Sequence, residues 1–533
     1  MDKPATTDRS ESTVLLKNGL IVDGTGKKSE LGDLLINGEK IEAVSNSPID
    51  IDCETIDCTG LVIAPGFIDI HSHMDTIVML EGYENLKSPF TGQGITTLVT
   101  GNCGYSSFGL QPSQGEQFNK YAVHTMKDYV EHVEKVGLSH NVVTLVGHGT
   151  SQMSIRGMDS GPLEPGEKKI LHGLIEESME QGAAGVSFGL GYEPGIYTRQ
   201  NEIREIVQLA KKREKIVTVH GRAYSGVPAT SANDEIPQNV QSLQENIDLA
   251  RETGVRLQYS HLMFAGSVSH PTYRQCLDIL DNAIADGVDI MIDTYPYHCG
   301  FTMINVFLPA WFLAGLPNNY HDEEAIDKVQ QTLGLMAVSM GFDFSDIQLM
   351  HINHPDYQGF NGMFLNEAAD KMGIHPARLI VDLSEKTNGS ANILNHKYSN
   401  MEIIDALIQH PACLFMTDSL VSTKGLQNPA SFGAFPLILQ YARDRDLIPL
   451  EETVRKMTGA SADRVNLKDR GYLREGLASD ITVFDWNQVK DNNTIKETSN
   501  APTGIEYVFI NGRLVKQNGT VDDSIRAGEA IRL

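Results

Sequence analysis

The feature that most constrains this chain is an alternation. Eight short apolar, β-branched runs recur along its middle: "GFIDIH" (66–71), "ITTLVTG" (95–101), "NVVTLVGH" (141–148), "AAGVSFG" (183–189), "IVTVH" (216–220), "RLQYSH" (256–261), "VDIMIDTY" (288–295) and "CLFMTD" (413–418). Between most of them lie stretches such as "GEKKILHGLIEESMEQG" and "VQSLQENIDLARETG", whose apolar residues fall three and four apart, the period of an amphipathic helix. Eight strands with intervening helices predict an α/β fold, a (β/α)8 TIM-type barrel, with its chemistry at the carboxyl ends of the strands.

The two ends of the chain have a different texture. Short β-type runs broken by glycine turns fill the first 60 residues, and the last 55 use the same grammar, with "INGEKI" at 36 echoed by "INGRLV" at 510. This predicts a small β-sandwich built from both termini, residues 1–65 and 466–533, around a barrel over 66–465. One gap between strands is too long for a single helix. From about 299 to 365, after strand seven, extra sequence including "LPAWFLAGLPNNYHDEE" predicts an inserted lid.

Bulk properties narrow the class. At 533 residues the chain exceeds one ordinary core, and 48 glycines with 7% aromatics fit an α/β protein rich in tight turns. A formal charge of −26 argues against nucleic acid or an anionic membrane surface as partner, since both demand clustered Lys and Arg. The first residues show no basic segment followed by an apolar one, and no apolar run is long enough to span a bilayer, so a cytoplasmic location is expected. Six scattered cysteines agree with a reducing compartment.

What stands at the strand ends is more informative. His71 and His73 close the first run two residues apart, a spacing that sends both imidazoles to one side of a strand. Strand two runs into "GNCG" with Cys103, strand five ends in His220, strand six in His261 and strand eight in Asp418. A barrel gathers all of these on one rim. Imidazoles with a thiolate and a carboxylate suit Zn²⁺ better than the oxygen-seeking Mg²⁺ or Ca²⁺. Asp293, ending strand seven, reads as a hydrogen-bonding residue rather than a base, and His148 as a buried structural histidine. His298, His351 and His354 fall in the insertion with no evident ligand set.

With these residues placed, the chain resembles the amidohydrolase superfamily and, within it, the D-aminoacylase group of N-acyl-D-amino-acid deacylases. The resemblance runs through "VIAPGFIDIHSHMD", "GNCGYS", "SFGLGYEPG", "DTYPY", "FGAFPLILQYARD" and "RKMTGASADRVNLKDRGYLREGLASDITVFD". No bridging lysine stands at the relevant strand ends. The resemblance implies a tightly held zinc on Cys103, His220 and His261 and a second, weaker position at His71, His73 and Asp418. Asp418 then serves as general base and acid for a metal-activated water that attacks an amide carbonyl.

The chain departs from the group where the substrate carboxylate is gripped. "NPASFGAFP" places Ala430 where the group has an arginine, and "YPYHCGFT" places Phe301 where it has a serine. "HGRAY" keeps Arg222 but loses the acidic residues that follow it in the group. Arg222, Tyr192, Tyr295, Phe301 and Ala430 are accordingly the candidate substrate-binding residues. The expected activity is hydrolysis of a linear amide, either an N-acyl-D-amino acid or an N-acyl amine lacking a free carboxylate, on a small-molecule substrate. The alternatives are a cyclic-amide hydrolase of the hydantoinase or dihydroorotase kind and a catalytically inactive scaffold.

Overall fold

The computed structural model describes residues 13–111, 121, 123–157, 159, 161–227, 236–422 and 424–533. All eight expected barrel strands form: Phe67–Asp69, Ile95–Thr100, Asn141–Thr144 continued by Val146–Gly147, Gly185–Gly189, Ile216–His220, Leu257–Tyr259, Ile290–Thr294 and Cys413–Phe415. Neighbouring strands run parallel, as in the register Val217↔Leu257 and Ile292↔Cys413. Helices pack outside. Helix Gln200–Lys212 buries Ile203, Ile206, Val207 and Ala210 along one stripe, and helix Gln238–Thr253 ends where Gly254 turns left-handed at φ 63°.

Strands eight and one are joined by a few specific bonds beyond their ends. The Asp418 amide donates to the His71 carbonyl at 3.0 Å, and the His73 amide donates to the Ser419 carbonyl at 3.0 Å. Buried Asp69 accepts the Thr417 amide at 3.0 Å and its hydroxyl at 2.5 Å. Closure therefore brings the residues after strand one against those after strand eight.

The chain ends join in one hydrogen-bonded sheet of nine strands. Val62–Pro65 lies between Thr13–Ile21 and Ile481–Phe484, pairing Leu20↔Val62 on one side and Ile63↔Val483 on the other. Leu16, Leu34, Ile36 and Ile63 from the first half share a core with Ile481, Val483 and Phe509 from the second. The echoed turns meet: a Cβ on Gly512 (φ 73°) would stand 1.7 Å from the Gly38 carbonyl, so only glycine fits there.

Two boundaries differ from the expectation. The insertion after strand seven continues past 365 to Asn395, as a three-stranded antiparallel sheet of Gly300–Met303, Ile347–His351 and Asn392–Asn395. Helices Leu365–Met372 and Pro376–Lys386, whose periodicity suits a barrel helix equally well, pack instead on an apolar core of the insertion's own, with Leu349, Leu365, Ile380 and Ile393. The last residues also leave the terminal sheet: Ala530–Ile531 pairs in parallel with Val142 and Val143 of barrel strand three, and the Leu533 amide donates to the Gly182 carbonyl. Strand three shifts partners at Leu145, and this short tail fills the place beside its first half. No helix among the described residues is long and apolar enough to cross a membrane.

Candidate metal centre

The six strand-end side chains converge. Cys103 Sγ lies 3.3 Å from His71 Nε2, 3.6 Å from His261 Nε2 and 3.7 Å from His220 Nδ1. His220 Nδ1 and His261 Nε2 are 2.9 Å apart. On the other side, Asp418 Oδ1 stands 3.3 Å from His71 Nε2 and 3.2 Å from His73 Nε2. Two donor groups result, His71–Cys103–His261 and His71–His73–Asp418, each within 4.8 Å, with His71 in both.

Local backbone geometry explains how such short segments aim their side chains. Cys103, His261 and Asp418 all adopt left-handed conformations, with φ of 54°, 33° and 49°. Each costs about 1–3 kcal/mol for a non-glycine residue and persists only where neighbours enforce it. Those neighbours are visible. Gly101 beside Cys103 has no room for a Cβ, which would meet the Leu145 carbonyl at 2.1 Å. Tyr192 donates its hydroxyl to the Cys103 carbonyl at 2.6 Å, Asp293 accepts the His261 amide at 2.6 Å, and the His71 carbonyl holds the Asp418 amide.

The electrostatics match the geometry. Burial alone would raise the Cys103 thiol, but His71, His220 and His261 around it override that and hold it well below its ordinary range, as a thiolate. Burial opposes charge on Asp418 too, yet its hydrogen bond to His73 and the charges of His71 and His261 keep it ionised. His220 is pushed down by burial and by His261, which favours the neutral imidazole a metal requires. A tetrahedral zinc with Zn–S of about 2.3 Å and Zn–N of about 2.0–2.1 Å separates its sulfur and nitrogen donors by about 3.5 Å. The thiolate-to-imidazole distances of 3.3, 3.6 and 3.7 Å fit that ion. Buried His261 Nδ1 takes no hydrogen bond, and His71 Nδ1 faces the Asp293 carboxylate at 3.5 Å.

Known proteins carry the same arrangement of chain. No family model matches the sequence. The D-aminoacylase of Alcaligenes xylosoxydans xylosoxydans is 27% identical over 96% of this chain and 96% of its own length. The N-acyl-D-aspartate deacylase of the same organism is 27% identical over 96% of this chain and 93% of its own. The crystal structure of N-acyl-D-glutamate deacylase from Bordetella bronchiseptica, complexed with zinc and a phosphonate inhibitor, superposes with a TM-score of 0.80 at 24% identity, covering 98% of this chain and 100% of that one. The L-hydantoinase of Arthrobacter aurescens reaches a TM-score of 0.56 at 14% identity, covering 98% and 100%. Over nearly its whole length the chain is thus similar to the D-aminoacylases and N-acyl-D-amino-acid deacylases.

The candidate substrate residues fare unevenly. Tyr192 stacks on Tyr105 with ring centroids 5.6 Å apart and lies 4.8 Å from the His220 ring. Tyr295 is buried near Asp418, and burial followed by that carboxylate pushes its phenol well up, so it stays protonated. Arg222 is not free to bind a carboxylate: Nε donates to Glu245 at 2.8 Å, and its two terminal nitrogens donate to the Ile196 and Thr198 carbonyls. Ala430 is fully buried at the start of helix Ala430–Asp444, its amide held by Asn428, so it lines core and not an open pocket. Phe301 packs on Cys299, Met350 and Leu394 in the insertion.

Three further residues escaped the sequence. Tyr398, from the exit of the insertion, lies near enough for Asp418 to help burial push its phenol up to about 12. Asp69 ties strands one and eight. Tyr224 sits edge-on to the His220 and His261 rings at 4.9 and 5.0 Å and donates to the Ser260 carbonyl while accepting the Gly221 amide. Only the "HGRAY" run hinted at Tyr224, as a departure from the group's pattern. His148 is buried against Phe188, away from the cluster's contacts.

Proposed function

We propose that the chain hydrolyses a linear N-acyl amide, the observation that carries this being the convergence of a thiolate, four imidazoles and Asp418 at five barrel-strand ends. Cys103, His220 and His261 would hold a zinc ion tightly, with His71, His73 and Asp418 forming a weaker second position. A zinc ion in that cradle supplies the acidity that makes water nucleophilic near neutral pH.

The remaining chemistry belongs to the side chains. Asp418, ionised and about one-fifth exposed, accepts a proton from water as oxygen adds to the amide carbonyl. As the carbon–nitrogen bond breaks, Asp418 returns that proton to the departing amine, leaving a carboxylic acid and an amine. Tyr295 and Tyr398, both protonated near Asp418, offer neutral donors beside the reacting atoms, while the Tyr192 hydroxyl is held by the Cys103 carbonyl.

Substrate charge follows from what the site lacks. With Arg222 engaged by Glu245 and two carbonyls, and a core-buried alanine at position 430 in place of the group's arginine, a free α-carboxylate would be desolvated without the cation that offsets the cost. An N-acyl amine without a carboxylate, or its ester, suits this pocket better than an N-acyl-D-amino acid. The two sequence relatives named above are an N-acyl-D-aspartate deacylase and a D-aminoacylase, and the hydantoinase superposes less well, which supports a linear amide over a ring. Six unpaired cysteines are in keeping with a cytoplasmic, reducing setting.

The test is a substrate panel on zinc-quantified protein: N-acyl-D-amino acids, their methyl esters, the matching decarboxylated amides, and hydantoin and dihydroorotate. Cleavage of linear amides, strongest without the carboxylate, supports the reading. Ring opening with no linear activity overturns it in favour of a cyclic-amide hydrolase.

A further inference from the structure

Beneath the metal cluster runs a buried polar chain that none of these roles uses. Asp293, on the seventh strand and 0% exposed, accepts the His261 amide on Oδ1, which also faces His71 Nδ1 at 3.5 Å. Its Oδ2 accepts Gln258 Nε2 at 2.8 Å. Gln258 Oε1 in turn accepts Arg464 Nε at 3.1 Å. The other guanidinium nitrogens of Arg464 hold Asp289 and the Leu257 carbonyl, at the opposite, amino ends of strands six and seven. The chain therefore spans the barrel interior from one end to the other.

Its chemistry has one polarity. A guanidinium can only donate, so Gln258 must turn its oxygen toward Arg464 and its NH₂ toward Asp293. The second Asp293 oxygen is then left as a pure acceptor between the His261 amide and the His71 ring. That acceptor selects the Nδ1–H tautomer of His71 and leaves the Nε2 lone pair pointing at Cys103 and Asp418. The same oxygen pins the amide of His261, whose φ of 33° needs such a restraint.

We propose that Arg464, Gln258 and Asp293 are positioning residues that fix the tautomer of His71 and the backbone of His261, and so set metal affinity from the far end of the barrel. The proposal rests on the zinc reading of the cluster. It goes further by giving Gln258 and Arg464, which touch no ligand side chain, control over metal retention.

The experiment measures zinc affinity by competition with a chromophoric chelator, and melting temperature without metal, on the full chain and on Asp293→Asn and Gln258→Met. Loss of the carboxylate is expected to weaken zinc binding by about 10–100-fold. Gln258→Met should weaken it in the same direction by a smaller factor, beyond any change in metal-free stability. If Asp293→Asn does not fold, Gln258→Met decides alone. Variants that lower the melting temperature of the metal-free protein but bind zinc as tightly as the wild type overturn the proposal while leaving the metal centre standing. A wild-type chain that binds no zinc overturns both.

Discussion

The amide of Asp418 donates to the carbonyl of His71 across 3.0 Å, joining the last barrel strand to the first at the point where both carry site side chains. The same two residues approach through their side chains at 3.3 Å, so the bond that closes the barrel also brings the proposed acid–base group against a proposed ligand.

That arrangement makes Asp418 the residue whose charge matters most. Asp418→Asn keeps the shape but cannot take a proton, and kcat on the best amide should fall by about 10²–10⁴-fold. Zinc on Cys103, His220 and His261 should remain. Metal content by elemental analysis with steady-state kinetics checks both halves; near-normal kcat would exclude Asp418 as the base.

Cys103 should matter differently. Among the described residues it is the only thiol touching three imidazoles, and Cys103→Ala removes the proposed soft ligand that favours zinc over harder ions. After dialysis the variant should hold little zinc and show almost no turnover. Retention of stoichiometric zinc would remove the thiolate from the ligand set.

A pH effect follows for the metal-free chain. Burial pulls His73 down, but its hydrogen bonds to Asp418 and Cys103 more than offset this and raise it from 6.5 to about 10. The folded state thus holds this proton more tightly than the unfolded chain. Its stabilisation is complete below about pH 6.5 and is lost as pH rises through about 10. Melting temperatures of metal-free wild type should drop more steeply over that range than those of His73→Asn. Parallel curves would show that the ion pair contributes nothing.

Gly221, which follows His220, has no space for a side chain. A Cβ there would stand 2.1 Å from the Tyr259 hydroxyl and 2.6 Å from Ser242 Oγ. Gly221→Ala should cost about 1–3 kcal/mol through overpacking, read as a lower melting temperature. An unchanged value would mean that the Tyr259 hydroxyl yields freely.

Arg222 offers a control on specificity. Because its donors are engaged by Glu245 and two carbonyls, Arg222→Gln should leave the preference between charged and uncharged acyl substrates unchanged while lowering stability by about 1 kcal/mol. A selective loss on carboxylate substrates would restore Arg222 as a substrate ligand.

The barrel was legible because strands and amphipathic helices leave periodic traces, and the candidate ligands because His71, His73, Cys103, His220, His261 and Asp418 all stand where those traces end. Helices Leu365–Met372 and Pro376–Lys386 show the limit: a buried apolar stripe records that a helix packs, not which core it packs on. Arg222 and Ala430 show another, since a matching position in a motif does not say which way a guanidinium turns or whether a small residue faces a pocket.

What the sequence determined by itself is therefore local: periodicity, the residue types at strand ends and the metal those types favour, all functions of neighbours along the chain. Only the tertiary structure decided which of them meet. Distances between Asp418 and His71, or along Arg464, Gln258 and Asp293, depend on strands hundreds of residues apart closing around a shared, desolvated interior, where each buried charge must find its partner.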